Sequence, residues 1–525
     1  MKKKPLRIIT LVSASFIATS CSLFSNLTYN WLTATSNNTQ IRYCLLIGQN
    51  EHSDSIERTR YTRQALDTRD AKTEINGNAN LGTPKVGELV LGEGTQYKKT
   101  FKVTELEHME QKSLAGVVWD NITANSTTAT WINKHGKNMT MLISNNDGMA
   151  EGAMNAYNYI KGLPLFGYDA NTSTMRLIQQ CSKTGVGIMG TVDQNAAAQT
   201  SAAYMIIRNI LDDQKSGKNR IGTRDYDPTN RGFSKEKPNT DLNIYIDGFN
   251  TSHEGIVDPH KDERSEHNMD LNFEDGNHEI LSKSVAIDIN NVSDYLDEEG
   301  NVKDEASLAW DDKLGFVHKS IVLPNGSRNI STYKICHVYN NAAETYLQGT
   351  MFNYYSQYAE AFGVESMKEY KYDGDGVDEQ KIFSQLEGAC AGTKFDAFLI
   401  NMVTTTDGAT FVDNISKYAA SNEGKTIPKG GWDKWEDRLD TPLIFWNKQP
   451  QKVTGEVDTD TMNNKYFKYT YFVGVDAAYG GKVQGEMIVD YLNHYLKDHA
   501  QNYNIKEAEN YECSLKYNPE ISKYA

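Results

Sequence analysis

The sequence predicts an α/β fold of parallel strands flanked by helices, and three observations carry that expectation. Within 139–199, three short apolar runs (139–144, 163–168 and 187–192) are each followed by a helical pattern, which is the signature of parallel β-α units. The same alternation returns from Tyr333 onward, with apolar runs at 333–339, 395–402, 442–446 and 469–475 separated by helical stretches. Finally, 525 residues exceed one ordinary core and suit about two to four domains or lobes.

Composition narrows the function classes. With 39% hydrophobic and 23% charged residues the chain is globular. Its formal net charge of -15, without a basic stripe interleaved with aromatics, argues against a nucleic-acid partner. At the start, Lys2, Lys3, Lys4 and Arg7 precede an apolar run at 8–17 and then Ala18-Thr19-Ser20-Cys21. This order resembles a bacterial lipoprotein signal, with residues 1–20 removed and Cys21 the lipidated first residue. The run is too short to span a bilayer comfortably, so the expected location is the extracytoplasmic face of the cell membrane, held by a lipid. Residues 21–40, rich in Ser, Asn and Thr, read as a flexible tether. Cys44, Cys181, Cys336, Cys390 and Cys513 lack CxxC pairs or metal-ligand spacing. The first four read as core residues, with neither a disulfide framework nor zinc expected.

Along the chain, 41–48 reads as a buried strand, and 55–68 as a helix with Asp54 at its N-cap and Arg58 four residues on. Residues 76–94 suggest a surface hairpin or loop, and 109–114 a short polar helix before Trp119. Residues 196–211 form an alanine-rich helix. Residues 212–276 are a polar insertion, in which His253, His260, His267 and His278 read as solvated. Residues 280–289 read as one strand, and 479–498 as a long amphipathic helix. In a parallel α/β sheet the ligand crevice lies at the carboxyl ends of the strands, where Asn146, Asp169 and Gln194 fall.

The strings LISNNDGMAEGAMNA, LPLFGYDA and GTVDQNAAAQ, with GQNEHSDSIERT and VVWDNITA upstream, resemble one lobe of the periplasmic galactose/glucose-binding proteins of ABC importers. The likeness to that family's first lobe comes later, in YKICHVYNNAAETYLQGTMF, FDAFLINMV, TPLIFWNKQP and YFVGVDAAYGGKVQGEMI. The order implies a circularly permuted, two-lobed type I periplasmic-binding-protein fold, each lobe a parallel sheet flanked by helices. On this reading 41–194 is the distal lobe, completed by about 279–296 and 477–500. Residues 195–277 then belong to the other lobe, 297–332 join the ancestral ends, 333–476 form the first lobe and 501–525 a polar extension. Hinges are expected near 474–477, 194–196 and 277–278.

The resemblance implies a monosaccharide ligand and an ABC permease as partners, a monomer, and neither catalysis nor a cofactor. Trp119 and Tyr346 would sandwich the sugar ring. His52, Asp54, Arg58, Asn146, Asp169, Gln194, Glu344 and Asn447 would bind its hydroxyls, with Asn340 a further candidate. Glu344 and Gln194 each stand one methylene longer than the family's residue. Thr140 occupies the place of a calcium-ligating glutamate found in relatives, so no metal is expected there; Asp373, Asp375 and Asp378 resemble only half a calcium loop. A pentose, a nucleoside or another polyol remains an alternative ligand. A surface glycosidase using Asp54 and Asp169, or a surface lipoprotein that has lost transport, are the rival functions.

Overall fold

The structure, a computed structural model, describes residues 40–74, 82–95, 98–156, 163–184, 187–216, 269–272, 278–282, 284–303, 333–340, 346–361, 364–365, 371–373, 379–432, 434 and 437–502. The expectations for 1–39 (Cys21 included), 217–268, 304–332, Glu344, Asp375, Asp378 and 503–525 (Cys513 included) lie outside these residues.

Two seven-stranded sheets form the two lobes. The first holds β1 (Gln40–Ile47), β2 (Gly87–Leu91), β3 (Lys99–Glu110), β4 (Met141–Ser144), β5 (Leu165–Phe166), β6 (Ile188–Asp193) and β9 (Val285–Asp288). Their order is β2-β3-β1-β4-β5-β6-β9, with β3, β1, β4, β5 and β6 parallel and both outer strands antiparallel. The second holds β7 (Met269–Asn272), β8 (Glu279–Ser282), β10 (Ile335–Tyr339), β11 (Lys371–Asp373), β12 (Ala397–Ile400), β13 (Leu443–Trp446) and β14 (Thr470–Val475). Here the order is β11-β10-β12-β13-β14-β8-β7, and only β7 runs antiparallel to its neighbour.

The helices are α1 (Ser53–Ala65), α2 (Asn121–His135), α3 (Asp147–Met154), α4 (Thr172–Thr184), α5 (Ala196–Ser216), α6 (Val292–Tyr295), α7 (Phe352–Ala361), α8 (Glu379–Gly392), α9 (Gly408–Asn422), α10 (Thr459–Met462) and α11 (Ala477–Asn502). Helices cover both faces of each sheet, so the central strands are apolar at every position rather than at alternate ones. Along β1, Ile41, Tyr43, Leu45 and Ile47 pack toward residues of α1 and α11, while Cys44 and Leu46 pack toward α2, α3 and α4. In the second lobe Ile335 and Tyr339 meet α5 and α7, while Cys336 and Val338 meet α8 and α9. Cys44, Cys181, Cys336 and Cys390 are buried free thiols within these clusters.

Among the described residues the chain crosses between lobes three times, from β6 into α5, from β8 into β9 and from β14 into α11; a fourth passage, back to β10, falls within 304–332. One buried hydroxyl gathers the crossings, since Ser282 Oγ is 2.8 Å from the Gln194 carbonyl and 3.2 Å from that of Gly474. Helix α11 lies so close to α1 that a Cβ on Gly481 would stand 2.6 Å from the Glu57 carbonyl oxygen.

Five local expectations need correction. The run 280–289 is not one strand: β8 pairs with β14 in the second sheet and β9 with β6 in the first, so the first lobe resumes after Ser282 rather than at 279. The crossing expected at 277–278 therefore lies between Ser282 and Val285, and His278 instead sits half-buried, its Nδ1 3.1 Å from the Thr470 carbonyl. The polar helix expected at 109–114 is absent because β3 runs through Glu110, held by eight residue pairs with β1; parallel pairing outweighs the weak local helical preference. Asp54 is not the N-cap of α1, since His52 holds that position and accepts from the Asp54 N–H.

Candidate functional site

The carboxyl ends of both sheets face one cavity between the lobes. It contains about 480 Å³ of empty space, part of it open to solvent. His52, Asp54, Arg58, Trp119, Asn146, Asp169 and Gln194 line it from the first lobe, and Asn340, Tyr346 and Asn447 from the second. The cavity thus gathers every site residue expected from the sequence that lies within the described residues. Val118, Leu347 and Lys448 line it too and were missed; Lys448 had a signal, being next to Asn447 at the end of β13.

Arg58 is the hub of the first-lobe half. It is 2% exposed and donates to Asp54 Oδ2 at 2.6 Å and to the Asn145 carbonyl at 2.7 Å, with Asp169 Oδ1 at 3.5 Å. Its guanidinium also stacks 3.6 Å from the centre of the Tyr168 ring, a placement in which a delocalised cation loses little. A charge this deeply buried is sustained only by such pairing. Burial pushes the Asp54 carboxyl upward and Arg58 pulls it back, with a net rise above the usual aspartate range.

His52 stays neutral. Burial, then the positive charges of Lys448 and Arg58, hold its imidazole well below the ordinary range. Its Nδ1 accepts from the Asp54 N–H at 3.1 Å, which assigns the proton to Nε2 and makes that atom a donor. Asn146 caps α3, its Oδ1 accepting from the Met149 N–H at 2.8 Å, so the amide NH₂ is the group it offers the cavity. Gln194 donates from Nε2 to Asp169 Oδ1, while its Oε1 is buried with no donor among the described residues. Asn340 Oδ1 is in the same condition.

Trp119 is seated on bare backbone. A Cβ on Gly48 would come within 2.1 Å of its ring, so only glycine admits the indole there. His52 meets that ring edge-on, with centroids 5.5 Å apart. Trp119, Asp169 and Asn447 have φ of 60°, 120° and 61°, a region disfavoured for residues other than glycine and tolerated best by asparagine. Three such residues around one cavity mark a backbone shaped for the site at some energetic cost.

Hydrogen bonds run between the lobes beside the cavity. Lys448 Nζ bridges them, donating to the Val403 carbonyl at 2.5 Å and to Gln49 Oε1 at 3.4 Å. Thr350 Oγ1 donates to Asn171 Oδ1 at 3.2 Å, and Thr405 Oγ1 to the Glu51 carbonyl at 3.4 Å. Among the described residues no group of three or more His, Cys, Asp or Glu side chains is placed to hold a metal ion, and no helix is long and apolar enough to cross a membrane.

Residues 29–215 match the family model described as periplasmic binding protein domain. The chain is 27% identical over 160 residues to the D-galactose/methyl-galactoside binding periplasmic protein MglB of Haemophilus influenzae, which covers 30% of this chain and 38% of that protein. The matched part thus spans well under half the length of this relative. Two solved structures are also similar. One is a twin-arginine translocation pathway signal protein from Burkholderia phytofirmans, with 13% identity, 34% of this chain and 42% of that one covered, and a TM-score of 0.17. The other is the ABC domain in complex with L-Trp from Streptococcus pneumonia, with 10% identity, 86% and 85% covered, and a TM-score of 0.35. With two parallel-rich α/β lobes, the chain has a two-lobed fold whose residues 29–215 match the periplasmic binding protein domain model.

Proposed function

We propose that this protein is a lipid-anchored, extracytoplasmic solute-binding protein that captures a galactose- or glucose-like pyranose between its lobes and delivers it to an ABC importer. The observation that carries this reading is the cavity itself: Trp119 from one lobe and Tyr346 from the other, with Asp54, Arg58, Asn146, Asp169 and Asn447 in the same lining. Aromatic faces suit the C–H faces of a pyranose. Carboxylate, amide and guanidinium groups can each engage two neighbouring hydroxyls. A ligand with one hydroxyl inverted leaves a buried partner unsatisfied, which is where selectivity arises. The similarity to a protein named for binding galactose points the same way.

Delivery follows from closure of the lobes about these crossings, with the closed form as the one the permease reads. The chain is read as circularly permuted because the segments resembling the family's first lobe come last. Cys21 is the proposed point of lipid attachment. Binding without turnover is favoured over glycoside hydrolysis, since Asp54 and Asp169 both lie against Arg58 and are set to accept hydrogen bonds rather than to share acid and nucleophile roles.

Calorimetry of the full chain with galactose, glucose, ribose and nucleosides tests the reading. A pyranose should bind, and Trp119→Ala and Asp169→Ala should each weaken it by more than about 1.4 kcal/mol, a factor of ten. Absence of binding by any of these at millimolar concentration would sink the proposal.

A further inference from the structure

The inner cavity has a larger neighbour. A second space between the lobes contains about 1,660 Å³, partly open to solvent, against about 480 Å³ for the first, and Asp54 lines both. The same two chain segments wall the two spaces. On and just before α1, His52, Asp54 and Arg58 face the inner cavity while Ser53, Glu57 and Arg60 face the outer one. After β13, Asn447 and Lys448 line the inner cavity, and Gln449, Gln451 and Lys452 the outer one.

The outer lining has the chemistry of a sugar subsite. Gln449 and Gln451 are 8% and 6% exposed, and Gln451 keeps a buried Oε1 with no donor among the described residues. Glu57 is ion-paired with Arg60, and with Asp54, Lys452, Glu456 and Asp476 also in the lining the wall is mildly acidic, which disfavours anionic ligands. Phe472, Leu281 and Val475 supply apolar surface beside them. A wall mixing amides, a neutralised ion pair and an aromatic suits a neutral hydroxylated ring better than a phosphate or a carboxylate.

We infer that the ligand is a glycoside of two rings, a disaccharide, with one pyranose in the inner cavity, the second ring in the outer one and the linkage passing Asp54. This rests on the sugar-binding reading above and names the substrate class of that site. Because α1 and the segment after β13 come from different lobes, a two-ring ligand is gripped by both lobes in both spaces, which adds interactions to the closed form alone.

The experiment is calorimetry of the full chain and of Glu57→Trp, which places an indole in the outer space, against galactose, glucose, lactose, melibiose, maltose and cellobiose. At least one disaccharide should bind the unaltered chain as tightly as its component monosaccharide or more so. Glu57→Trp should weaken that disaccharide more than tenfold while monosaccharide affinity stays within twofold, which also shows that the variant is folded. Monosaccharide binding with every disaccharide rejected, or a Glu57→Trp effect equal for both ligand classes, overturns the two-ring inference and leaves the proposed function standing. No binding of either class overturns both.

Discussion

The two halves of the cavity are built differently. The first-lobe half is a charged network: Arg58 holds Asp54 and leans on Tyr168, Gln194 donates to Asp169, and the histidine cap orients Asp54. In the second-lobe half Asn340 and Asn447 stand just beyond strand ends, Tyr346 opens the helical turn that precedes α7, and Lys448 reaches across to Gln49. The contrast teaches a division of labour. The first lobe bears the cost of buried charge once, at folding, and keeps a fixed surface. The second brings an aromatic face and amides that meet the first-lobe network across the cavity.

Breaking the hub should have the largest effect. Arg58→Met leaves Asp54 and Asp169 buried without their cation, and removing one partner of a buried pair costs roughly 3–5 kcal/mol. A urea melt should show that loss together with abolished binding. An unchanged midpoint would mean that the first-lobe network is not what holds the two carboxylates.

Gly48→Ala is the next test. Its Cβ must displace the Trp119 ring, so ligand affinity should fall by about tenfold or more, roughly 1.4 kcal/mol, with the first sheet intact by circular dichroism. Retained affinity would show that the indole position is not part of recognition.

Asn447→Gly sharpens the second-lobe side. At φ 61° glycine keeps the backbone without strain, so the melting temperature should hardly move while affinity drops several-fold. A large stability loss with unaltered binding would reverse the roles assigned to the halves.

The smallest effect expected is a pH slope. Asp193, at the end of β6 where the chain crosses lobes, is pushed up to about 7 by burial, against one opposing hydrogen bond from the Asn195 N–H. Its folded-state pKa lies above the ordinary value, so its contribution to stability is present below about pH 4 and is lost as pH rises through about 7. Asp193→Asn should flatten that part of the stability curve, changing the melting temperature by roughly a few degrees. Thermal melts between pH 4 and 8 measure it; an identical slope in the variant removes Asp193 as its source.

Much of this was legible in the sequence. The strand ends carrying Asn146, Asp169, Gln194 and Asn447 could be read because apolar runs and polar stops are local signals. His52, Asp54 and Arg58 followed from helical spacing, although the cap was misassigned by two residues: histidine is an unusual cap, and aspartate the more common one. The β3 error has a similar cause, since 109–114 was judged on its own composition while its partner β1 lies more than fifty residues earlier.

What the sequence determined by itself is the α/β class and the kinds of side chain at the strand ends, because periodicity and polarity are properties of neighbouring residues. Only the tertiary structure decided that 280–289 divides between two sheets, that Gly48 exists to seat Trp119, that Lys448 bridges the lobes and that Asp54 stands between two cavities. Each of those depends on contacts between segments distant along the chain, which close packing settles and local pattern does not encode.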